Sequence, residues 1–210
     1  GVVEGIIDHT GDRHRAGAVV VAAGAWTPEL LPWTRSLLRT IGQPVFHLKP
    51  TDAAPFQPDV FPVWAADISE TGWYGFPAQP DGIVKIANHG AGLPMSPLDP
   101  KDVPPEYDRA CRTFLRTSLP LLSDAPIVAR RLCMYCDTPD GDFLIDRDAD
   151  RPGLTIAAGG SGHAFKFAPV LGGLIADAAE GRENRWLDRF RTRKPDSAHT
   201  ERARFQGDAY

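Results

Sequence analysis

Residues 153–181, GLTIAAGGSGHAFKFAPVLGGLIADAAEG, decide the fold because they join an apolar run, a glycine turn and an amphipathic segment. LTIAA predicts a strand, and Gly159, Gly160 and Gly162 predict the turn after it. The apolar positions that follow share one helical stripe: Val170, Leu171, Leu174, Ile175 and Ala178. Gly181 is expected to end this helix. Strand, glycine turn and helix in this order are typical of α/β folds that bring backbone amides close to a cofactor.

The N-terminal residues repeat this design. AVVVAA at 18–23 predicts a strand buried on both faces, as in a covered parallel sheet, and residues 2–7 predict a strand before it. Thr27 and Pro28 predict the start of a short helix, with Thr27 as the N-cap.

A different pattern lies between these two regions. Residues 43–90 carry short strand-like runs among prolines, glycines and aromatics, which predicts an antiparallel sheet. Residues 103–119 predict a helix with Cys111 as a packing residue on its apolar face. The expected class is therefore α/β (α+β). Residues 1–40 and 141–190 form one layer, 41–140 form an inserted mixed or antiparallel domain, and 191–210 form a tail.

The composition of the chain excludes several classes of partner and of fold. The chain of 210 residues has a net charge of -4 and no apolar run of the roughly 20 residues that span a bilayer, so neither nucleic acid nor a membrane is expected as partner. RWLDRFRTRK at 185–194 is expected to be a solvated basic face. Three cysteines argue for a reducing, cytoplasmic compartment rather than a disulfide framework. Because the chain begins without Met inside a strand-like run, we expect a longer protein.

Cys133 and Cys136 form a CxxC pair in CMYCDTPDGDFLID, residues 133–146. Such a pair suits half a zinc site or a thioredoxin-like redox centre, and a flavin-independent redox protein stays open as an alternative. Zinc needs two further soft ligands, and Cys111 is the one other cysteine. The segment also predicts strand, turn, strand rather than a helix start, so no metal site is expected.

Two lysines could carry chemistry. Lys85 interrupts the apolar strand GIVKIANHG with His89 on the same face, and it is either a cation over a pocket or an edge-strand charge. Lys166 and His163 lie three residues apart at the predicted helix start, where an anion would suit them. The alternative is that Lys166 extends to water between two phenylalanines.

Five motifs taken together resemble one family. VVVAAGAWTPELL, WYGFP, GIVKIANH, CMYCDTPDGDFLID and AAGGSGHAFKFAP resemble, in order and separation, the C-terminal part of monomeric sarcosine oxidase-type flavoenzymes. These belong to the D-amino-acid-oxidase-like FAD-dependent oxidoreductases. The resemblance extends over residues 1–195, and its last two motifs are the specific ones.

The resemblance implies a site. Cys133 matches the cysteine that tethers the flavin covalently, and Lys85 matches the lysine that promotes reaction with O2. Tyr74 and His89 match residues that line the substrate pocket. Lys166 matches the lysine that binds the substrate carboxylate, with His163 beside it. The remaining implied cofactor contacts are Gly24, Trp26, Met134, Gly159, Gly160, Ser161 and Gly162, besides Lys166.

The implied activity is oxidation of a secondary amine or N-methyl amino acid with O2, giving hydrogen peroxide, by a protein that is a monomer when complete. The chain departs from the family because it has no G-x-G-x-x-G motif for the FAD pyrophosphate. The expected layer is thus an incomplete FAD-binding Rossmann-like layer that exposes apolar surface along AVVVAA and LTIAA. The alternative is a truncated, non-catalytic remnant that does not hold FAD.

Overall fold

The computed structural model describes residues 1–193 and Arg204, and they separate into two compact units. The first unit contains Gly1–Thr40 and the described residues from Tyr135 onwards. The second contains Ile41–Met134 and Arg204. Each unit has a hydrophobic core of its own.

The described residues form strands and helices in a mixed order, with short 3-10 turns between them. The strands are β1 (Gly5–Ile7), β2 (Arg13–Arg15), β3 (Val19–Val21), β4 (Arg39–Leu48), β5 (Trp64–Ala66), β6 (Trp73–Phe76), β7 (Val84–Asn88), β8 (Leu93–Pro94), β9 (Ile127–Asp137), β10 (Leu144–Arg147) and β11 (Leu154–Ala158). The α-helices are α1 (Thr27–Leu30), α2 (Pro105–Ser118), α3 (Ala168–Glu180) and α4 (Leu187–Phe190). None of the helices in the described part of the chain is long and apolar enough to cross a bilayer.

The sheet of the first unit joins strands from both ends of the chain. Its order is β10-β11-β3, and β11 runs parallel to β3 with Leu154 opposite Val19 and Ile156 opposite Val21. The two apolar runs predicted as strands therefore pair directly, in parallel, within one sheet. The strand expected over residues 2–7 is shorter than predicted and contains only Gly5–Ile7. It pairs with β2 as a separate antiparallel hairpin.

The predicted burial of AVVVAA on both faces is wrong. Val20 is 42% exposed, because β3 is the edge strand of this sheet among the described residues. The opposite holds for LTIAA, where Leu154 and Ile156 are buried because β11 is the central strand. The expected exposed apolar surface is thus present along β3 and absent from the first half of β11.

Thr27 is not the N-cap of the short helix. It lies inside α1, Trp26 occupies the cap position, and the buried Oγ1 of Thr27 has no hydrogen-bond partner among the described residues. Pro28 does lie in the first turn.

Helix α3 agrees with its predicted stripe in four of five positions. Leu171, Leu174, Ile175 and Ala178 pack together, whereas Val170 is 57% exposed. Gly181 ends the helix with a φ of 70° and donates its N–H to the Ala178 carbonyl, as expected.

The predicted helix start near His163 and Lys166 is wrong. A 3-10 turn, Ala164–Phe167, comes first, and α3 begins at Ala168. The two side chains therefore do not share the first turn of an α-helix. Pro169 explains the delay, because proline is favoured within the first turn of a helix and disfavoured later.

The second unit contains the predicted antiparallel sheet, of order β5-β6-β7-β4-β8, with β9 paired to β4. Val45 lies opposite Ala87 and His47 opposite Lys85. Residues alternate between the two faces, so Phe46 and Ile86 point into the core that α2 covers with Cys111 and Leu115. The predicted helix over 103–119 and the packing role of Cys111 are confirmed.

The basic stretch at 185–194 does more than face solvent, within its described residues. Arg189 donates to Asp142 at 2.9 Å, and Arg193 donates to Asp140 at 2.6 Å. Both aspartates lie in the turn between β9 and β10, so the stretch holds this turn in place. Of the predicted tail over 191–210, the structure describes residues 191–193 and Arg204, and the other tail residues lie outside the described part of the chain.

Candidate functional site

Lys85 lies in the middle of the sheet of the second unit. Its strand β7 pairs with β6 on one side and β4 on the other, so the interpretation of Lys85 as an edge-strand charge is wrong. Lys85 faces His47 and Phe76 in register, and its Nζ lies 4.7 Å from the centre of the Phe76 ring. Burial, and then the positive charge of Arg131, lower the pKa of Lys85, while Cys133 opposes them. A half-buried ammonium therefore occupies this face.

His47 and Arg131 extend the positive charge around Lys85. Burial, followed by the charges of Arg131 and Lys85, lowers the pKa of His47, and Asp81 acts in the opposite direction. The sequence alone did not indicate whether His47 lines a pocket, and it gave no reason to select Arg131. Their approach depends on the pairing of β4 with β7 and β9, which joins residues far apart in the chain.

The three cysteines are free thiols in different surroundings. Cys111 is fully buried, and burial raises its pKa to about 12. Burial likewise raises the pKa of Cys136 to about 11, although the Gly159 N–H donates to it. Cys133 is only half-buried. Within the described residues, it is therefore the thiol most accessible to solvent.

Cys133 and Cys136 do not form a redox pair of the thioredoxin type. Both lie within β9, and residues three apart on a strand point to opposite faces. No group of three or more histidine, cysteine or acidic residues in the described part of the chain is arranged to hold a metal ion.

Tyr74, His89 and Met134 also lie in the second unit, all half-buried. Tyr74 lies opposite Ala87 in β7. His89 follows β7, and both nitrogens of its ring lie 3.2 Å from Nη1 of Arg204. Arg204 is 1% exposed and was not predicted from the sequence, because an arginine in a polar, charged stretch gives no signal of burial.

The glycine turn of the first unit is tightly built. Gly159, Ser161 and Gly162 have φ values of 70°, 47° and 75°, a region that favours glycine. Buried Ser161 stabilises the turn, because its Oγ accepts from the Thr138 N–H and donates to the Gly159 carbonyl. A side chain at residue 162 would overlap the Tyr135 ring.

Two backbone amides of this turn are available to a ligand. Over the described chain, the N–H groups of Gly160 and Gly162 make no hydrogen bond, whereas the Ser161 N–H donates to the Cys136 carbonyl. Such amides suit a flavin ring or another acceptor.

His163 and Lys166 diverge after this turn. The His163 ring hydrogen bonds the Gly141 carbonyl at 2.9 Å and lies 5.1 Å from Phe143. Lys166 is exposed, with Nζ 5.4 Å from the Phe167 ring. Gly24 and Trp26 lie in the turn before α1, and Trp26 is 44% exposed. The first unit therefore brings His163 and the glycines together, whereas Lys166 faces solvent.

Known proteins share this sequence and fold. The model of the DAO family, FAD dependent oxidoreductase, matches residues 1–178. Monomeric sarcosine oxidase from Streptomyces avermitilis is 33% identical over 184 residues, which cover 84% of this chain and 47% of that protein. N-methyl-L-tryptophan oxidase from Citrobacter koseri is 33% identical, over 85% of this chain and 48% of that protein.

The fold is also similar to that of a solved flavoenzyme structure. Fructosyl amine:oxygen oxidoreductase (Amadoriase I) from Aspergillus fumigatus matches with a TM-score of 0.78 and 30% identity, over 92% of this chain and 46% of that one. The chain belongs to the FAD-dependent oxidoreductase family, and the resemblance seen in its motifs is confirmed. It spans about half the length of the relatives it matches.

Each unit, taken by itself, offers groups that suit a flavin. In the first unit, Gly160 and Gly162 leave amide N–H groups without a hydrogen-bond partner among the described residues. In the second unit, Lys85 offers a half-buried ammonium and Cys133 a half-buried thiol. The sequence has no G-x-G-x-x-G turn for the pyrophosphate.

Proposed function

We propose that this chain carries the substrate-binding and oxygen-reacting residues of an FAD-dependent oxidase of secondary amines or N-methyl amino acids. The products would be an imine, which hydrolyses, and hydrogen peroxide. In this proposal residues 1–40 and 141–190 belong to the cofactor layer, 41–140 to the substrate domain and 191–210 to the tail. The complete protein would act as a monomer in the cytoplasm.

FAD, when bound, would accept a hydride equivalent from the carbon next to the amine nitrogen and pass two electrons to O2. The chain supplies position and charge. Lys166 would bind the substrate carboxylate, with His163 fixing the turn before it. Tyr74 and His89 would line the pocket around the amine.

Lys85 would stabilise the negative charge that develops on O2 as it is reduced. A fixed charge in a half-buried place acts more strongly than one in water, and it needs no reorganisation. Cys133 would tether the flavin through a thioether, and Gly160 and Gly162 would donate their amide N–H groups to it. Gly24, Trp26, Gly159, Ser161 and Met134 would complete the cofactor contacts.

One observation carries this proposal: Lys85 is a half-buried cation in the centre of a sheet, on a face that also holds the half-buried thiol of Cys133. A half-buried lysine without an ion pair among the described residues is costly, which a purely structural role does not explain. The names of the relatives support an amine as substrate.

The visible spectrum of the purified chain tests the proposal. Yellow protein that stays yellow after acid precipitation, and that forms peroxide with sarcosine or N-methyl-L-tryptophan, would support it. The second candidate is a non-catalytic remnant that does not hold FAD. Colourless protein that takes up no added FAD would select the remnant instead.

A further inference from the structure

We propose that the sheet face of the second unit contains a site for a small carboxylate, formed by Arg131 and His47 beside Lys85. The proposal does not depend on bound FAD, since each of these residues belongs to the second unit. It adds a second carboxylate site to the one proposed at Lys166.

Strand pairing places the three side chains on one face. Lys85 and His47 are Cα partners across β7 and β4, and β9 pairs with β4 on the far side. Arg131 lies on β9 and acts electrostatically on both Lys85 and His47. The cluster thus spans three adjacent strands.

The two neighbouring arginines of β9 have different partners. Arg130 points to the helix-covered face, where its Nε lies 2.8 Å from both carboxylate oxygens of Asp108 in α2. Arg131 points the other way, as alternation on a strand requires. Within residues 1–193, neither Arg131 nor Lys85 has an ion-pair partner.

His47 adds a polar atom that has no hydrogen-bond partner among the described residues. This atom, Nδ1, is buried. An unsatisfied buried nitrogen costs free energy, which a hydrogen bond to a ligand would recover. Arg131 is exposed, so a small molecule can reach the cluster from solvent.

A carboxylate fits these donors best. A guanidinium presents parallel N–H groups that match the two oxygens of a carboxylate, and a neutral imidazole donates one further hydrogen bond. Lys85 adds a positive charge beside them. A spherical anion such as chloride would not use the paired geometry of Arg131.

Cys133 serves as an internal reporter of the local charge. In the 210-residue chain, its alkylation rates with anionic iodoacetate and with neutral iodoacetamide are compared as a ratio. Arg131→Gln should lower this ratio by about 3- to 10-fold, because one unit charge near the thiol is removed in a partly buried environment. Cys133→Ser identifies the labelled sulfur.

Arg130→Gln is the matched control, since it removes the same charge from the adjacent residue on the opposite face. It should change the ratio by less than about 2-fold, because the Arg130 guanidinium lies on the opposite face of the strand and is exposed, so water and salt screen its charge from Cys133. Equal effects of the two substitutions would overturn the proposal.

Acetate titration gives an independent measurement that also applies if flavin occupies Cys133. The ring signals of His47, assigned with His47→Gln, should shift with acetate in the unmodified chain and stay unchanged in Arg131→Gln. Chloride at equal ionic strength is the comparison. A shift that chloride reproduces, or no shift with acetate, would show that there is no carboxylate site.

Discussion

Arg193 binds the carboxylate of Asp140 through two hydrogen bonds, from Nε to Oδ2 and from Nη2 to Oδ1, each 2.6 Å long. Its Nη1 also donates to the Phe143 carbonyl at 3.1 Å. One side chain therefore fastens the turn between β9 and β10 to residues about fifty positions later in the chain. Burial raises the pKa of Asp140, but the hydrogen bonds and charge of Arg193 outweigh it and the net direction is down.

Arg193→Met should lower the free energy of unfolding by about 1–3 kcal/mol, because it leaves Asp140 without these charged hydrogen bonds. Urea unfolding at neutral pH measures the loss. Arg191→Met is the control, since Arg191 pairs with the exposed Asp188 and should cost no more than about 0.5 kcal/mol. Because a carboxyl of lowered pKa stabilises only while it is ionised, the effect of Arg193→Met should fade as pH drops below about 3.8. An effect that persists in acid would contradict the ion pair.

Thr27→Val should leave the stability unchanged or raise it by up to about 1 kcal/mol, because a buried hydroxyl that has no partner among the described residues is replaced by a methyl group. Thr34 provides a matched comparison. It is equally buried, but its Oγ1 donates to the Leu31 carbonyl at 2.8 Å, so Thr34→Val should cost about 1 kcal/mol. Thermal unfolding of both variants measures the difference, and a larger loss at Thr27 would restore its role as an N-cap.

Lys85→Met should slow the reaction of the reduced, flavin-loaded protein with O2 by about 100-fold or more, because the stabilising charge is removed. Anaerobic reduction by substrate should change far less. Stopped-flow spectroscopy separates the two half-reactions, and equal effects on both would remove Lys85 from the proposed role.

The pH dependence of the O2 reaction offers a second test of Lys85. The ammonium is present below its pKa and lost as pH rises through it. Since burial and Arg131 lower that pKa from 10.5, the rate should begin to decline below pH 10.5. Arg131→Gln should move the decline in rate to higher pH. A pH–rate profile that is the same with and without this substitution would contradict the coupling between the two residues.

Cys133→Ser should give a protein whose flavin separates from the chain in denaturant, because the proposed thioether cannot form. Cys136→Ser is the control and should retain the colour, since the buried Cys136 points to the opposite face of β9. Absorbance of the pellet after acid precipitation reports the result. Flavin retained by Cys133→Ser would show that Cys133 is not the point of attachment.

Local patterns predicted the elements well where one stretch carried the whole signal. The stripe of α3, its stop at Gly181 and the apolar face of α2 all depend on residues a few positions apart. Thr27 was misplaced because a threonine before proline satisfies the sequence rule for an N-cap, whereas the chain enters α1 one residue earlier.

Properties that depend on distant neighbours were beyond such patterns. The exposure of Val20 follows from the edge position of β3, which no residue within AVVVAA encodes. The basic stretch near the C-terminus was expected to be solvated because the aspartates that bind Arg189 and Arg193 lie about fifty residues earlier. For the same reason, the approach of His47 and Arg131 to Lys85 required the strand register.

Strand β9 places unlike chemistry on its two sides, with Arg130 directed to Asp108 and Arg131 and Cys133 directed to Lys85 and His47. A slip of one residue in its pairing would exchange the two guanidinium groups and turn the accessible sulfur towards the hydrophobic core. Insertions or deletions between the start of β9 and Cys133 should therefore be tolerated only in pairs, whereas point substitutions on the solvent side leave the alternation intact.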